Sequence, residues 1–504
     1  MNQTRFLMGI DNGGSGIKCA IFDQRGQEIA AVSISPPTSH PYPGWTERDP
    51  HVLWDINCKA VRMALSQAGI QPSQIEGVSL CGYGGGVVLT DAHGTPVYPA
   101  IVSTDTRARP QLKVLEETGA AAEIFAITHQ KPWEGQAASL LQWFREEQPA
   151  VLSKSRYFLP IKDYIRTCLT GAPCIEITDA SNQNLIDPAT EAYSNSLFSL
   201  TCLEQERRLF DAPLLRPESI AGKITPQAAR QTGLLAGTPV AAGLYDVSAC
   251  TLGCGALTAD APAIINGTWS MASYLSSSYT HADLSTIVTI SAVQGHYLLE
   301  QGSPTGTVNL DWFLNQFLKK IHPQLTLRQL YELCAQTVAV PNPEATALFI
   351  PFLYGDDCGE GKRGAFINVS GNLGEKELLY AVLEGILLSS RRHIKRLQQG
   401  LAPFTSAFLA GGVSASRPWS QMLCDMLQIP LTIAAGTQQG ARGAAMCAGI
   451  AVGEFDNFPQ AVQAISHPAY TLFPRSEHRD FFLRRTELYE KALDALSLFY
   501  APSS

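Results

Sequence analysis

One arrangement occurs twice in this chain: an apolar strand, a turn of small polar residues, and a second apolar strand running back. The first copy reads Met8-Gly9-Ile10-Asp11-Asn12-Gly13-Gly14-Ser15-Gly16-Ile17-Lys18, followed by Cys19-Ala20-Ile21-Phe22. The second reads Ala263-Ile264-Ile265, then Asn266-Gly267-Thr268-Trp269-Ser270, then Met271-Ala272-Ser273-Tyr274. Such a repeat predicts two matched halves with equivalent turns. A length of 504 residues calls for more than one large core in any case. Glycine lets the main chain come within hydrogen-bonding distance of a bulky anion, and the turn exposes several N–H groups to it. In the first copy Asp11 can hold a metal ion and Lys18 can meet an anion. Two such turns could clamp one phosphate chain, although an ordinary glycine hairpin reads the same way.

Strand and helix signals alternate through the first half, which predicts an α/β fold with helices covering a sheet. A third strand is expected over 28–34, and a proline-rich connection over 36–43 follows. Asp49-Pro50 reads as a helix N-cap and first helical position. The apolar stripe of that helix is expected to be Val52, Ile56, Ala60 and Leu65, with Trp54 and Cys58 off it. A buried strand over 75–80 stops at Cys81-Gly82-Tyr83-Gly84-Gly85-Gly86, and 87–90 resumes as a strand. Residues 239–245 read as a strand ending at Asp246, with a small-residue helix over 248–257. A third glycine turn, Leu409-Ala410-Gly411-Gly412-Val413-Ser414, precedes a helix over 419–426. Residues 440–453 read as a tightly packed helix. From His478 to about Tyr500 the chain is amphipathic, with Phe481, Phe482, Leu488, Ala492 and Leu496 near helical spacing.

The composition, 45% hydrophobic and 16% charged, is that of a compact protein. A net charge of −8 without runs of lysine or arginine argues against nucleic-acid partners. The pairs Arg391-Arg392 and Arg484-Arg485 are expected on solvated helix faces. No signal peptide or membrane span is expected. Twelve cysteines form no CxxC pair, Cys250 and Cys254 sit among small residues, and ten histidines show no metal-ligand spacing. Reduced, buried thiols in a cytoplasmic enzyme follow from that pattern. Gly355 to Gly361-Lys362-Arg363 imitates a P-loop, but its spacing is one residue too long and arginine replaces the required serine or threonine. Neither a complete GxGxxG nor a GxSxG elbow occurs.

Asp246 is the strongest single candidate for catalysis. It closes an apolar strand and opens a helix, so it is either the helix N-cap or a carboxylate placed to deprotonate a hydroxyl nucleophile.

Six segments in order then carry a resemblance: Asp11 through Lys18, Gly44-Trp45-Thr46-Glu47, Gly243-Leu244-Tyr245-Asp246-Val247, Asn266-Gly267-Thr268-Trp269, Pro351-Phe352-Leu353-Tyr354-Gly355, and Gly411-Gly412-Val413-Ser414-Ala415-Ser416 with Gln421. Along nearly the whole chain, from residue 6 to about 500, it resembles the FGGY carbohydrate kinases. The L-xylulose kinase branch is the most similar, on Ser103-Thr104-Asp105-Thr106-Arg107-Ala108, Ile161-Lys162-Asp163-Tyr164, Leu169-Thr170-Gly171, Ser303-Pro304-Thr305 and Asn309-Leu310-Asp311-Trp312-Phe313.

The resemblance implies two actin-like, ribonuclease H-like α/β domains with a cleft between them. Residues 1–244 would carry the sugar side and first phosphate loop. Residues 245–504 would carry the catalytic aspartate, second phosphate loop and adenosine side. Asp246 matches the base that takes the sugar hydroxyl proton, and Asp11 the acid that positions the Mg²⁺ of MgATP, largely through water. Gly13, Gly14, Ser15 and Lys18 match the first ATP-binding turn, Gly267 and Thr268 the second, and Gly411, Gly412 and Ser416 the adenosine side. Many relatives carry asparagine at the position of Ser416. On the sugar side Tyr83 stands where relatives often have glutamine, either as a hydroxyl or stacking contact or as core. Asp105 and Arg107 match an acid–base pair of the sugar pocket, or else form a surface ion pair; Trp133 is pocket wall or core.

The expected reaction is phosphorylation of a small free sugar by ATP, with a ketopentose such as L-xylulose first. Kinases for D-xylulose, ribulose or erythritol remain open, as does a non-catalytic, nucleotide-switched sugar sensor. A homodimer is expected from the family, with neither nucleic acid nor membrane as partner.

Overall fold

The computed structural model describes residues 5–280, 282, 284–355, 363–399 and 401–500; Gly361 and Lys362 of the P-loop imitation lie outside them. The chain forms two compact units. The first comprises 1–257, 275–299 and 436–467, and the second 258–274, 300–435 and 468–504. Asp246 and the helix it opens therefore pack with the first unit.

The first unit is organised by a sheet in the order Ile220–Lys223, Pro239–Ala241, Ile75–Gly82, Phe6–Asn12, Ile17–Asp23, Glu28–Ile34. Phe6–Asn12 is buried along its whole length. It pairs antiparallel with Ile17–Asp23 and parallel with Ile75–Gly82, so its apolar run is continuous rather than alternating. The helix Gln439–Ala451 crosses it so closely that a Cβ on Gly9 would lie 1.8 Å from the Ala441 carbonyl oxygen. That contact, with Gly443 against Ala249, explains the small-residue composition of the helix.

The second unit repeats the theme. Its strands Ser270–Ser276, Ala263–Asn266, Ala407–Gly411, Leu431–Ala434 and Pro468–Leu472 are hydrogen-bonded in that order. Ala263–Asn266 is antiparallel to Ser270–Ser276 and parallel to Ala407–Gly411. Each unit thus has the strand–turn–strand hairpin that the sequence repeat predicts, and in each the first strand also pairs in parallel with a later strand.

Four local expectations are corrected. In the helix Pro50–Ala68, capped by Asp49 through the N–H groups of His51 and Val52, the buried face holds Pro50, Leu53, Trp54, Asn57, Cys58, Ala60, Val61, Ala64 and Leu65, so the expected Ala60 and Leu65 are buried. Trp54 and Cys58 belong to that face, and Val52 and Ile56 flank it. The expected strand over 239–245 is two short ones, Pro239–Ala241 and Leu244–Tyr245, and the helix after it runs Asp246–Cys254. Arg485, expected in solvent, is buried in the helix Arg479–Tyr500, where its fork meets Glu384 of Glu375–Leu397 and the carbonyls of Ala345 and Ala347. Burial of a helical arginine depends on what its neighbours offer, which a helical stripe does not encode. Leu488, counted in the same apolar face, is exposed.

Candidate active site

The first unit gathers its chemistry at one end of Ile75–Gly82. Asp11 pairs with Cys81 from one side, and Leu244 pairs with the same Cys81 from the other. Both neighbouring strands run parallel to the middle one, so Asp11 and the segment leading to Asp246 leave the sheet at the same end, with Asp11 and Leu244 roughly 10 Å apart by strand spacing. The arrangement also shows in the thiols between them. Burial first, and then the charges of Asp11 and Asp246, hold Cys81 and Cys250 well above the usual thiol range.

Asp11 is buried, and its Oδ2 lies 3.3 Å from Lys18 Nζ across the hairpin. The charge of Asp11 is the main reason Lys18 is held above the ordinary lysine range. Oδ1 is buried with no well-formed hydrogen bond among the described residues. A Cβ on Gly440, in the first turn of Gln439–Ala451, would come 2.9 Å from Oδ2, so this helix presents its positive end to the carboxylate. One acid with an unsatisfied oxygen suits Mg²⁺, which takes one or two carboxylates and fills its other positions with water and phosphate. Among the described residues no cluster of three or more His, Cys, Asp or Glu side chains offers a metal cage.

In the turn itself Gly13 N–H donates to the Gly16 carbonyl at 3.1 Å, while Gly14 and Ser15 are exposed. Asp246 is the first residue of its helix and half-buried; Tyr245 holds the N-cap position.

The sugar-side candidates are packed by aromatic rings. Tyr83 is buried, which pushes its phenol up to about 12. Positions where Gly84, Gly85 and Gly86 would carry a Cβ are occupied by the Tyr245 ring and Asn182, by Trp133, and by the Ile101 carbonyl with the Tyr83 ring. Trp133 is half-buried, with its ring against Gly85. Asp105 and Arg107 are not a surface pair: both side chains have no exposed area. Asp105 accepts from Thr46 N–H at 2.6 Å and from Arg107 N–H, Nε and Nη2 at 2.8, 2.9 and 2.8 Å. Arg107 also donates to Glu47 at 2.8 Å, with its guanidinium 3.8 Å from the Trp45 ring. Its fork is thus engaged with the segment 45–48.

In the second unit the turn after Asn266 is closed by neutral groups. Gly267 N–H donates to the Trp269 carbonyl at 3.0 Å, and Thr307 N–H to the Gly267 carbonyl at 2.7 Å. Asn266 Oδ1 accepts from the hydroxyls of Ser270 and Ser390 at 2.8 and 2.9 Å, while Thr268 is exposed. Gly411 pairs with Asn266 in the sheet, and Gly412 follows it, both exposed. Ser416 holds the N-cap position of Arg417–Leu427 without making the cap bond. Its hydroxyl is buried with no partner among the described residues.

Residues 6–253 match the N-terminal domain of the FGGY family of carbohydrate kinases, and 263–452 match its C-terminal domain. The chain belongs to the FGGY family of carbohydrate kinases. This kinase is 28% identical over 500 residues to an L-xylulose/3-keto-L-gulonate kinase of Escherichia coli, covering 99% of each chain. It is 32% identical to a probable L-xylulose kinase of Pasteurella multocida, covering 92% of this chain and 95% of the relative. Its fold matches a xylulose kinase of Rhodospirillum rubrum with TM-score 0.85 at 24% identity, covering 98% of this chain and all of that one. A gluconate kinase of Lactobacillus acidophilus matches with TM-score 0.88 at 20% identity, over the full length of both. The expected architecture, two α/β domains of the actin-like kind, holds. No helix among the described residues is long and apolar enough to cross a membrane.

Sequence reasoning about the kinase missed three groups around these residues. Arg48 donates to the Gly14 carbonyl and lies 5.9 Å from the Tyr83 ring, so it ties the first turn to Tyr83. Its signal was available, one position beyond the Gly44–Glu47 motif. Asn182 is buried beside Gly84 with an unpartnered Oδ1, and nothing in its local sequence separates it from the polar residues around it. The third group is a buried charge cluster around Lys162, whose members lie up to 17 positions apart in sequence.

Proposed function

We propose that this kinase transfers the γ-phosphate of ATP to a hydroxyl of a small free ketopentose, with L-xylulose the first choice because the two sequence relatives above are named as an L-xylulose/3-keto-L-gulonate kinase and a probable L-xylulose kinase. Asp246 accepts the hydroxyl proton as the oxygen attacks phosphorus in line. Gly13, Gly14, Ser15 and Lys18 meet the phosphates, as do Gly267 and Thr268, while Gly411, Gly412 and Ser416 meet the adenosine. Asp11, with its unsatisfied oxygen, would hold Mg²⁺, largely by way of water, and the ion would supply charge neutralisation at the transferred phosphoryl group. Tyr83 and Trp133 face the sugar. Asp105 and Arg107 serve the same pocket by fixing residues 45–48, which carry Arg48 to the first turn. In this reading the sugar side, the first phosphate loop and the catalytic aspartate belong to the first unit, and the second phosphate loop and adenosine side to the second. A homodimer in the cytoplasm completes it.

The observation that carries the reading is the pair of carboxylates leaving the same end of the sheet on either side of Ile75–Gly82, one beside a lysine and a glycine turn, the other at a helix start. The test is ADP release across ketopentoses, aldopentoses and four-carbon polyols, with Asp246→Asn as control. Release should depend on sugar and be greatest with L-xylulose. The variant should lose at least about 1,000-fold in kcat, on the scale of removing a catalytic base plus its orientation, while still binding ATP. Sugar-independent release, or an undiminished Asp246→Asn enzyme, overturns the reading.

A further inference from the structure

Five ionisable side chains lie together in the first unit with no exposed area: Lys162, Asp163, Arg166, Glu176 and Asp179. Lys162 Nζ is 2.7 Å from Asp163 Oδ1 and 3.3 Å from both Glu176 Oε2 and Asp179 Oδ2. Arg166 Nη1 is 2.6 Å from Asp163 Oδ1, and Glu176 N–H donates to Asp163 Oδ2 at 3.1 Å. Burying five charges is costly unless each is held, and a fold of this size can be made without them. None of the five belongs to the machinery proposed above, so their placement calls for another account.

The cluster reaches the chain that delivers Asp246. Arg166 Nη1 donates to the Ala242 carbonyl at 2.5 Å. Gly243 has φ +86° and lies so near the strand Ile75–Gly82 that a Cβ would stand 2.1 Å from the Leu80 carbonyl oxygen, so only glycine fits. Leu244 and Tyr245 then pair with Cys81 and Gly82. Finally, Tyr245 N–H donates to Thr178 Oγ1 at 2.9 Å, and that hydroxyl donates onward to Glu176 Oε2 at 2.8 Å. Glu176 also accepts from Thr178 N–H at 2.7 Å, which fixes the threonine to it twice. Every residue from 242 to 245 is thereby tied down, and Asp246 follows immediately.

We propose that Thr178, held by Glu176 and the buried charge cluster, is a positioning residue that sets the place of Asp246 by gripping the backbone N–H just before it. This rests on Asp246 being the proton acceptor. The hydroxyl is suited to the task because it accepts and donates at once, joining a neutral backbone to an ion cluster. The glutamate keeps its orientation single.

The experiment is a double-mutant cycle on the full chain, with turnover, the KM for ATP and thermal stability measured for each protein. Thr178→Val keeps the shape and removes the hydroxyl. It should lower kcat by about 10- to 100-fold, the scale on which a misplacement of about 1 Å acts, and leave the KM for ATP within about twofold. In the Asp246→Asn background the same change should cost less than about twofold, because the residue it serves is already gone. Thr178→Ser should restore kcat to within about threefold. Equal losses in both backgrounds, an unchanged kcat, or no rescue by serine overturns the proposal. If Thr178→Val does not fold, Thr178→Ala takes its place in the cycle; failure of both to fold assigns the hydroxyl to stability and overturns the proposal. Full turnover by Asp246→Asn alone is a different result, since it removes the reading of Asp246 and with it anything for Thr178 to position.

Discussion

The two hairpin turns share a topology and differ in charge. In the first, Asp11 stands opposite Lys18, an unsatisfied carboxylate oxygen is buried beside the start of a long helix, and five buried ionisable groups lie in the same unit. In the second, Asn266 occupies the strand end, and its support is a chain of hydroxyls from Ser270 and Ser390. Duplicated backbone geometry has thus been filled with opposite chemistry. An ionic turn can hold a cation and move with protonation. A neutral turn offers N–H groups of fixed polarity whatever the pH.

The largest test makes the first turn resemble the second. Asp11→Asn keeps the size of the side chain and one acceptor but gives up the charge shared with Lys18. Turnover should fall roughly 100- to 1,000-fold, the scale of losing a preorganised charge at a reacting centre, with thermal stability little changed. Added Mg²⁺ should recover little of it. Near-normal turnover would break the comparison, because the charge would then be dispensable.

Next comes the geometry of the second turn. Gly411 has φ +86°, and a Cβ there would lie 2.4 Å from the Asn266 carbonyl oxygen. Gly411→Ala should push the turn off position and reduce kcat/KM for ATP by about 10-fold or more, judged by the scale of small displacements in a binding site. The KM for sugar should move less. An alanine enzyme with wild-type ATP kinetics would remove the second turn from nucleotide binding.

Charge can also be installed where it is absent. Asn266→Asp places a carboxylate among hydroxyls, with no cation paired to it among the contacts described. The loss should be about 1–3 kcal/mol, the usual cost of a poorly satisfied buried polar group. Ionisation is what costs, so the deficit in Tm against wild type should widen from pH 5 to pH 8. A deficit that narrows as pH rises would mean that the second turn accommodates an anion.

Much of this was legible in the sequence because glycine, proline and capping residues report local geometry directly. The third strand at Glu28–Ile34, the Asp49 cap and all three glycine turns fall where the residues place them. What was not legible depends on partners distant in sequence. For Arg107 the sequence left a sugar-pocket pair and a surface ion pair both open, and only the closure of Trp45, Trp143 and Glu47 over it removes the surface reading. Arg485 looked solvated because the carbonyls that receive it lie 138 and 140 residues away. Thr178 carries no mark of its own, since its role exists only where Tyr245 and Glu176 meet. Apolar periodicity was only partly right on the helix Pro50–Ala68: Ala60 and Leu65 are buried, Val52 and Ile56 flank the face, and a buried asparagine, Asn57, which bonds Asn12 at 2.9 Å, widens it beyond its apolar residues.

The smallest predicted effect concerns the ionic support itself. Three acids and two bases share the cluster, so one negative charge is in excess, and burial pushes Asp179 up to about 7 despite Lys162 beside it. In the unfolded chain the same carboxyl titrates near 4. Between those values the folded protein keeps a proton that the unfolded chain has released. Stability from this group is therefore greatest at low pH and declines as pH rises from about 4 to about 7. Asp179→Asn removes the excess charge and can still accept from Gln183, which now bonds Asp179 Oδ1 at 3.1 Å. The variant should lose less Tm than wild type between pH 5 and pH 8, by roughly 2–4 °C for each kcal/mol relieved. The Asn266 hydroxyl chain holds no carboxylate, so Ser390→Ala should shift Tm by the same amount at both pH values. If Asp179→Asn and wild type run parallel across that range, the cluster carries no excess charge, and the two turns differ only in Asp11 and Lys18.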